Sequence, residues 1–282
     1  MTPLPKNIDQ ATVKGFGREW TTFTQSESDL TAEDRRAIFE SYFTIFPWDL
    51  LPPQSIGADI SCGSGRWAML VAHRVGHLHA VDPGAEALTV ARNNLAGLDN
   101  VSFHQASVSA MPFKDGALDF AYSLGVLHHV PDTSQAIRDV AAKLKAGAPF
   151  LVYLYYAFDN RSAAYRTLWT LSNAARLLLC RAPYPVQIAM TAVIAVLVYW
   201  PLARTAALLE MIGMLPRSWP LAFYRRRSFY VMRTDAFDRF CTRLEQRFTR
   251  AQITDMLRAA GFADIKFSDK EPFWVALAIK QC

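Results

Sequence analysis

Apolar and polar positions along this chain fall into blocks that change period. Short apolar runs lie at 56–61, 77–82, 101–106, 118–123 and 149–156, separated by stretches such as Glu86–Leu95 and Ser134–Leu144 in which apolar residues return every three or four positions. The first kind predicts buried strands and the second amphipathic helices. Their alternation predicts an α/β fold, doubly wound, with a mostly parallel sheet and helices on both faces. Lys145-Ala146-Gly147 supplies a glycine stop before the fifth strand. Further on, Phe248–Phe262 carries a Thr249 cap and a Gly261 stop, and Ile265–Ser268 and Trp274–Lys280 read as two last strands.

Residues 157–247 interrupt this pattern and are too many for a loop without structure of its own. The centre, 182–203, has no Lys, Arg, Asp or Glu in 22 residues and by length could span a bilayer. Pro183, Pro185 and Pro201 punctuate it, and a single span would separate the last helix and strands from the sheet they complete. A helical insertion serving as lid or interface is the expectation, with a surface-lying helix left open. Net charge sharpens the division: 160–250 holds 14 arginines against four acidic residues, so the remainder of this +5 chain is acidic. Such a segment suits phosphate, an anionic substrate, an acidic partner or a membrane surface, or is simply a solvated face. Tyr224–Arg233 interleaves cations with aromatics, but one such run without an appended RNA-binding domain does not make a nucleic-acid protein.

The chemistry-bearing motif is Asp59–Arg66, D-I-S-C-G-S-G-R, followed by V-D-P-G at Val81–Gly84. A strand running into Gly63-Ser64-Gly65 and then a helix leaves backbone room for a ligand at a helix N-terminus. Asp82 ends the next strand 19 residues after Gly63, where an acidic side chain can grip ribose hydroxyls. Taken alone, the motif also fits a dinucleotide site. Downstream come Ser107-Val108-Ser109-Ala110-Met111-Pro112-Phe113 and L-G-V-L-H-H-V-P-D at Leu124–Asp132.

Together these motifs resemble the class I S-adenosylmethionine-dependent methyltransferases, in particular the ubiquinone and menaquinone biosynthesis group, over Ile56–Tyr156 and again over Phe248–Lys280. The resemblance implies a Rossmann-like seven-stranded sheet with an antiparallel end, and S-adenosylmethionine as cofactor. It divides the chain into a capping segment (1–50), a core (51–156 and 248–282) and a helical insertion (157–247). It also places Ser61, Cys62, Gly63 and Gly65 beneath the methionine moiety, Asp59 and the backbone at Ser123 and Leu124 near its ammonium, and Asp82-Pro83 at the ribose. Ser107 stands where many relatives carry an aspartate for the adenine, a departure for which its hydroxyl or the Val108 backbone must compensate. The F-G-R-E-W-x-x-F opening, Phe16–Phe23, is similar to leaders that fold across the cofactor, so Phe16 and Trp20 are expected to cover the site or else to pack the leader on the core.

Methyl transfer from a sulfonium needs alignment and dryness, and a base only when the acceptor must lose a proton. His128, Tyr156, Asp159 and Tyr230 are the candidates in that order, His128 and His129 being equally readable as packing or capping residues. Arg161 and Arg225–Arg227 could hold an acceptor carboxylate or phosphate, or tie the insertion down. The expected reaction is methylation of a small, partly apolar metabolite, with an anionic group on it left open. Two alternatives stay open: a membrane-borne quinone or isoprenoid lipid as acceptor, with peripheral membrane contact, and a non-catalytic assembly protein, with the insertion as a homodimer surface. Cysteines at 62, 180, 241 and 282 show neither metal spacing nor a disulfide framework, and the first ten residues contain no apolar signal core. A cytoplasmic protein without a metal is the expectation.

Overall fold

The computed structural model describes residues 7–26, 28–29, 31–216 and 219–281; Met1–Lys6 and Cys282, both used in the sequence reading, lie outside them. Two compact units divide the chain. One comprises residues up to 27, 35–159 and from 244 onward, and the other 28–34 and 160–243. The second is narrower than the 157–247 expected for the insertion because its flanks bond to the core: Ala157 N–H donates to the Phe248 carbonyl at 2.9 Å and Gln246 N–H to that of His128 at 3.0 Å.

In the first unit, helix α1 (Gln10–Thr22) and, from residue 35 on, helix α2 (Ala32–Phe43) lead into strand β1 (Ile56–Ile60), the short helix α3 (Ala68–Val71), β2 (His77–Asp82), α4 (Ala85–Asn94), β3 (Val101–Gln105), β4 (Phe120–Leu124), α5 (Thr133–Lys143) and β5 (Pro149–Tyr153). The sheet runs β3-β2-β1-β4-β5-β7-β6, with β6 (Phe262–Phe267) and β7 (Val275–Lys280) added at one edge. Strands β1 to β5 are parallel, and β7 is antiparallel to both β5 and β6. The observed β4 starts two residues later than its apolar run. Leu118 is instead held by an isolated bridge to Leu144. On one face Ile137 and Val140 of α5 meet Ile253 and Leu257 of α10 (Arg250–Ala259) over Ala121, Phe150 and Ala276. The other face carries an aromatic group in which Phe43 meets Tyr122 at 5.3 Å and Phe46 meets Phe120 at 6.0 Å between ring centroids. The α10 start is a full capping box: Thr249 accepts from Gln252 N–H at 3.2 Å while the Gln252 side chain accepts from Thr249 N–H at 2.9 Å.

The second unit is helical, with α6 (Ala163–Leu179), α7 (Tyr184–Ile194), α8 (Trp200–Met211) and α9 (Phe229–Cys241). Helices α7 and α8 are one continuous helix, Tyr184–Met211, joined through a π-helical turn at Ala195–Tyr199. Pro201 therefore does not break the apolar stretch. It lacks the N–H that would bond the carbonyl of Leu197, its ring crowds that carbonyl, and the preceding turn widens to accommodate it. Ala195, Tyr199 and Ala203 pack on Met232 and Ala236 of α9. Three of the arginines considered for an acceptor anion are ion-paired within this unit, Arg225 and Arg226 gripping Glu210 at 2.9 Å and Arg227 facing Asp34 at 3.8 Å, while Arg161 lies over the Tyr165 ring.

One cluster on the sheet went unread in the sequence. His77 and His79, two apart on β2, share a face. His77 Nε2 lies 3.0 Å from Ser102 Oγ, and His79 Nδ1 lies 3.0 Å from His104 Nε2 on β3. Burial, with the charges of His77 and His104 behind it, pushes His79 down to about 4 from an ordinary 6.5. A histidine whose folded value is depressed is neutral in the fold and charged in the unfolded chain, so its contribution is present above pH 6.5 and is lost as pH falls toward 4. Thermal midpoints measured across that window should therefore fall more steeply in the wild type than in His79→Gln; equal slopes would contradict this assignment.

Candidate functional site

Strand β1 delivers its chain into a tight turn whose residues alternate into left-handed backbone: Ser61 at φ 61°, Gly63 at 55° and Gly65 at 76°. Glycine adopts this region freely, whereas Ser61 bears roughly 1–2 kcal/mol for its β-carbon. Space demands glycine as well. A β-carbon on Gly63 would sit 2.9 Å from the Trp20 indole nitrogen, and one on Gly65 would sit 2.9 Å from Leu95, which caps the end of α4. Cys62 N–H donates to the Val81 carbonyl at 2.9 Å, which holds the turn against the end of β2. Its buried thiol is pushed up by burial and by Asp82 and Asp59, and stays protonated.

Asp82 is the tie between the two strand ends. Its Oδ2 accepts from Gly63 N–H at 3.0 Å and its Oδ1 from Gly84 N–H at 2.8 Å. Burial nevertheless raises it to about 6, because two amide donors only partly replace its lost hydration. Asp59, 1% exposed on β1, is raised further, to about 8, by burial first and by the neighbouring Asp82, with the Tyr122 hydroxyl and Arg66 opposing. Asp59 and Tyr122 are register partners across β1 and β4, yet neither Asp59 Oδ2 nor the Tyr122 hydroxyl has a partner in strict hydrogen-bond geometry among the described residues. Ser107 Oγ and His128 Nε2 are in the same state, both buried. All four atoms belong to β1, to β4 or to segments following β3 and β4, and three of them lie at the carboxyl edge or beyond it, where open α/β sheets bind ligands.

The leader reaches this edge. Trp20 of α1 lies over Gly63 and stacks with Phe16 at 6.4 Å, while Phe16 meets the His129 ring at 5.0 Å. A polar latch invisible in the sequence fixes the following residues: Asn94 Nδ2 donates to the carbonyls of Thr24 at 2.7 Å and Ser64 at 2.9 Å, and Ser64 Oγ donates to Gln25 Oε1 at 2.9 Å. Other expected residues hold the frame. Ser123 Oγ donates to the Ile60 carbonyl at 2.9 Å, Leu124 ends β4 before Gly125, the Pro83 carbonyl accepts from Gln105 at 3.5 Å, and Val108 is buried in the 3-10 turn that Ser107 precedes.

The proton-transfer candidates separate. His128 is fully buried in a 3-10 turn (Leu127–His129), five residues before the first residue of α5 rather than at that helix's start. Its Nδ1 accepts from Tyr155 N–H at 3.3 Å, which assigns the proton of the neutral ring to Nε2. Burial, then His129 and Arg247, holds the ring well below its ordinary range. It is thus a neutral donor, not a poised base. Both oxygens of Asp159 are committed, Oδ1 to the Trp274 indole and Oδ2 to Arg250 N–H at the start of α10, each at 3.0 Å. Tyr156 bridges to Phe248 and packs with Phe158, Phe273 and Trp274. Tyr230 lies on α9 in the second unit. No group of three or more histidine, cysteine, aspartate or glutamate side chains suited to a metal occurs among the described residues.

Residues 58–152 match the methyltransferase domain family. The uncharacterized methyltransferase YcgJ of Bacillus subtilis is 33% identical over 104 residues, 36% of this chain and 41% of its own length. The ubiquinone biosynthesis O-methyltransferase of Marinobacter nauticus is 33% identical over 100 residues, again 41% of its length. The chain thus spans about two fifths of these relatives. In fold, it is similar to an S-adenosylmethionine-dependent methyltransferase of Thermotoga maritima, with a TM-score of 0.50 at 14% identity over 96% of this chain and 100% of that one. Motifs, sheet order and relatives agree in making residues 58–152 similar to methyltransferase domains.

Proposed function

We propose that the protein transfers the methyl group of S-adenosylmethionine to a small, partly apolar acceptor. The observation that carries this reading is a buried carboxyl group, Asp59, whose Oδ2 has no partner in strict hydrogen-bond geometry among the described residues, set beside a left-handed glycine turn that Asp82 ties to the next strand. A raised, under-solvated acid of this kind accommodates a cation, and the cofactor brings an ammonium and a sulfonium. When bound, the cofactor supplies an electrophilic methyl group and leaves as a neutral thioether.

On this reading Asp59 accepts from the ammonium, and Asp82 uses its remaining lone pairs for ribose hydroxyls. Ser107 Oγ, without a partner among the described residues, offers a hydroxyl to the adenine in place of the aspartate common in relatives. Trp20 roofs the turn and excludes water, which strengthens every electrostatic interaction beneath it. His128 Nε2–H serves as a donor that orients an acceptor oxygen or nitrogen rather than as the base first expected. Asp159 and Tyr156 support the fold around α10 instead of the reaction.

Calorimetric titration with S-adenosylmethionine tests the reading directly. Gly63→Val should abolish binding and Asp82→Ala should weaken it roughly a hundredfold, since two charge-assisted hydrogen bonds are lost; a wild-type protein that does not bind would end the proposal.

A second consequence concerns protons. With its folded value near 8 against an ordinary 3.8, Asp59 holds a proton in the unliganded fold at neutral pH, so stability of that form declines as pH rises from about 4 through about 8. An ammonium beside it favours the carboxylate and expels the proton. Titrations at pH 7 in buffers of differing ionisation enthalpy should report release approaching about one proton per cofactor, fading at alkaline pH and absent in Asp59→Asn. Wild-type binding without proton release would place the ammonium elsewhere.

A further inference from the structure

The helix Tyr184–Met211 is, by length and composition, long and apolar enough to cross a membrane, and only 22% of its most apolar window is buried. Its small and hydroxylated residues, Thr191, Ala195, Tyr199, Ala203 and Ala206, turn inward. Opposite them Val186, Met190, Val193, Leu197 and Trp200 form a stripe spaced by fours and threes, and Leu208 and Met211 are exposed further along, with Leu197 69% and Met211 82% exposed. Helix α6 adds its own exposed Leu168, Leu171 and Leu178. Soluble proteins rarely present apolar surface on this scale without a partner.

We infer that this face is a monotopic docking surface for an anionic lipid bilayer, lying along the membrane and not crossing it. Crossing is excluded twice. The chain leaves the sheet after β5 and returns to it for β7, which pairs with β5, so a single passage would divide one sheet between two compartments. The inward side of the helix also packs on α9, which carries Arg233, Asp235, Asp238 and Arg239 and could not follow it into hydrocarbon. A helix with one side wed to a charged neighbour and the other apolar seats at the interface.

Charge selects the occupant. The stripe alone would also suit a second copy, since spacing by threes and fours is that of a helix–helix seam. But this unit, 28–34 and 160–243, contains twelve arginines, no lysine and six acidic residues, so pairing two copies brings excess cations together whereas an anionic headgroup layer neutralises them. Arginine, moreover, takes phosphate oxygens in pairs. Exposed Arg166, Arg181 and Arg226 belong to the same unit as the stripe. This inference goes beyond the methyl-transfer proposal and stands whether or not that proposal holds.

Flotation of the full chain with vesicles of mixed phosphatidylcholine and phosphatidylglycerol, and in parallel with phosphatidylcholine alone, is the test. The protein should float with the anionic vesicles, more weakly as ionic strength rises, and much less with the neutral ones. Met190→Glu combined with Leu197→Glu should reduce partitioning roughly a hundredfold or more with the thermal midpoint preserved, both side chains being exposed. A wild type that stays in solution with anionic vesicles overturns the inference, and that comparison needs no variant. Equal binding to neutral vesicles overturns the role of charge. Sedimentation as a dimer that the double variant dissociates would assign the stripe to self-association and likewise overturn it.

Discussion

The site depends on one buried carboxylate that is shared between two backbone amides. Asp82 stands at the tip of β2 and accepts from Gly63 in the turn after β1 and from Gly84 at the head of α4. Without it, the Gly63 amide would be a buried donor with no acceptor in a turn already forced into left-handed conformation. With it, two strand ends and a helix start are fixed relative to one another by a single side chain. The cost is visible in the acid's raised value: two amides do not restore all the solvation that burial removes.

Around this tie the molecule tolerates polar atoms that a purely structural core would satisfy or delete. An unsatisfied buried group costs about 1–3 kcal/mol. Asp59 Oδ2, Ser107 Oγ, the Tyr122 hydroxyl and His128 Nε2 are in that condition, while nearby Ser123 Oγ and both oxygens of Asp159 are fully employed. The contrast falls among residues that look alike in sequence, and under the methyl-transfer proposal the first group is the one that meets the ligand.

Much of this was legible before any coordinates. A glycine turn and the acid 19 residues on are local signals, as are the Thr249 cap and the change of period between strands and helices, and each depends only on neighbours in the chain. What escaped reading depends on pairing at a distance. Tyr122 matters because β4 sits beside β1 in a register that puts it opposite Asp59. Asn94 and Gln25 join through Ser64 across 30 and 39 residues. The tautomer of His128 is set by an amide 27 residues away. Pro201 misled for a different reason: its effect on a helix is a matter of how the preceding turn relaxes, which composition does not state.

The bridge between Tyr156 and Phe248 carries one last implication. Here the chain leaves the sheet for its long detour and comes back to the same spot, closing a ring of polypeptide whose mouth is a pair of neighbouring residues. For a ring so closed the entropic toll grows only with the logarithm of its circumference, about 0.6 kcal/mol for each doubling. Lengthening or trimming the detour therefore costs the sheet almost nothing, which makes this the place where a lineage could graft, swap or shed a whole helical module while the sheet stays put.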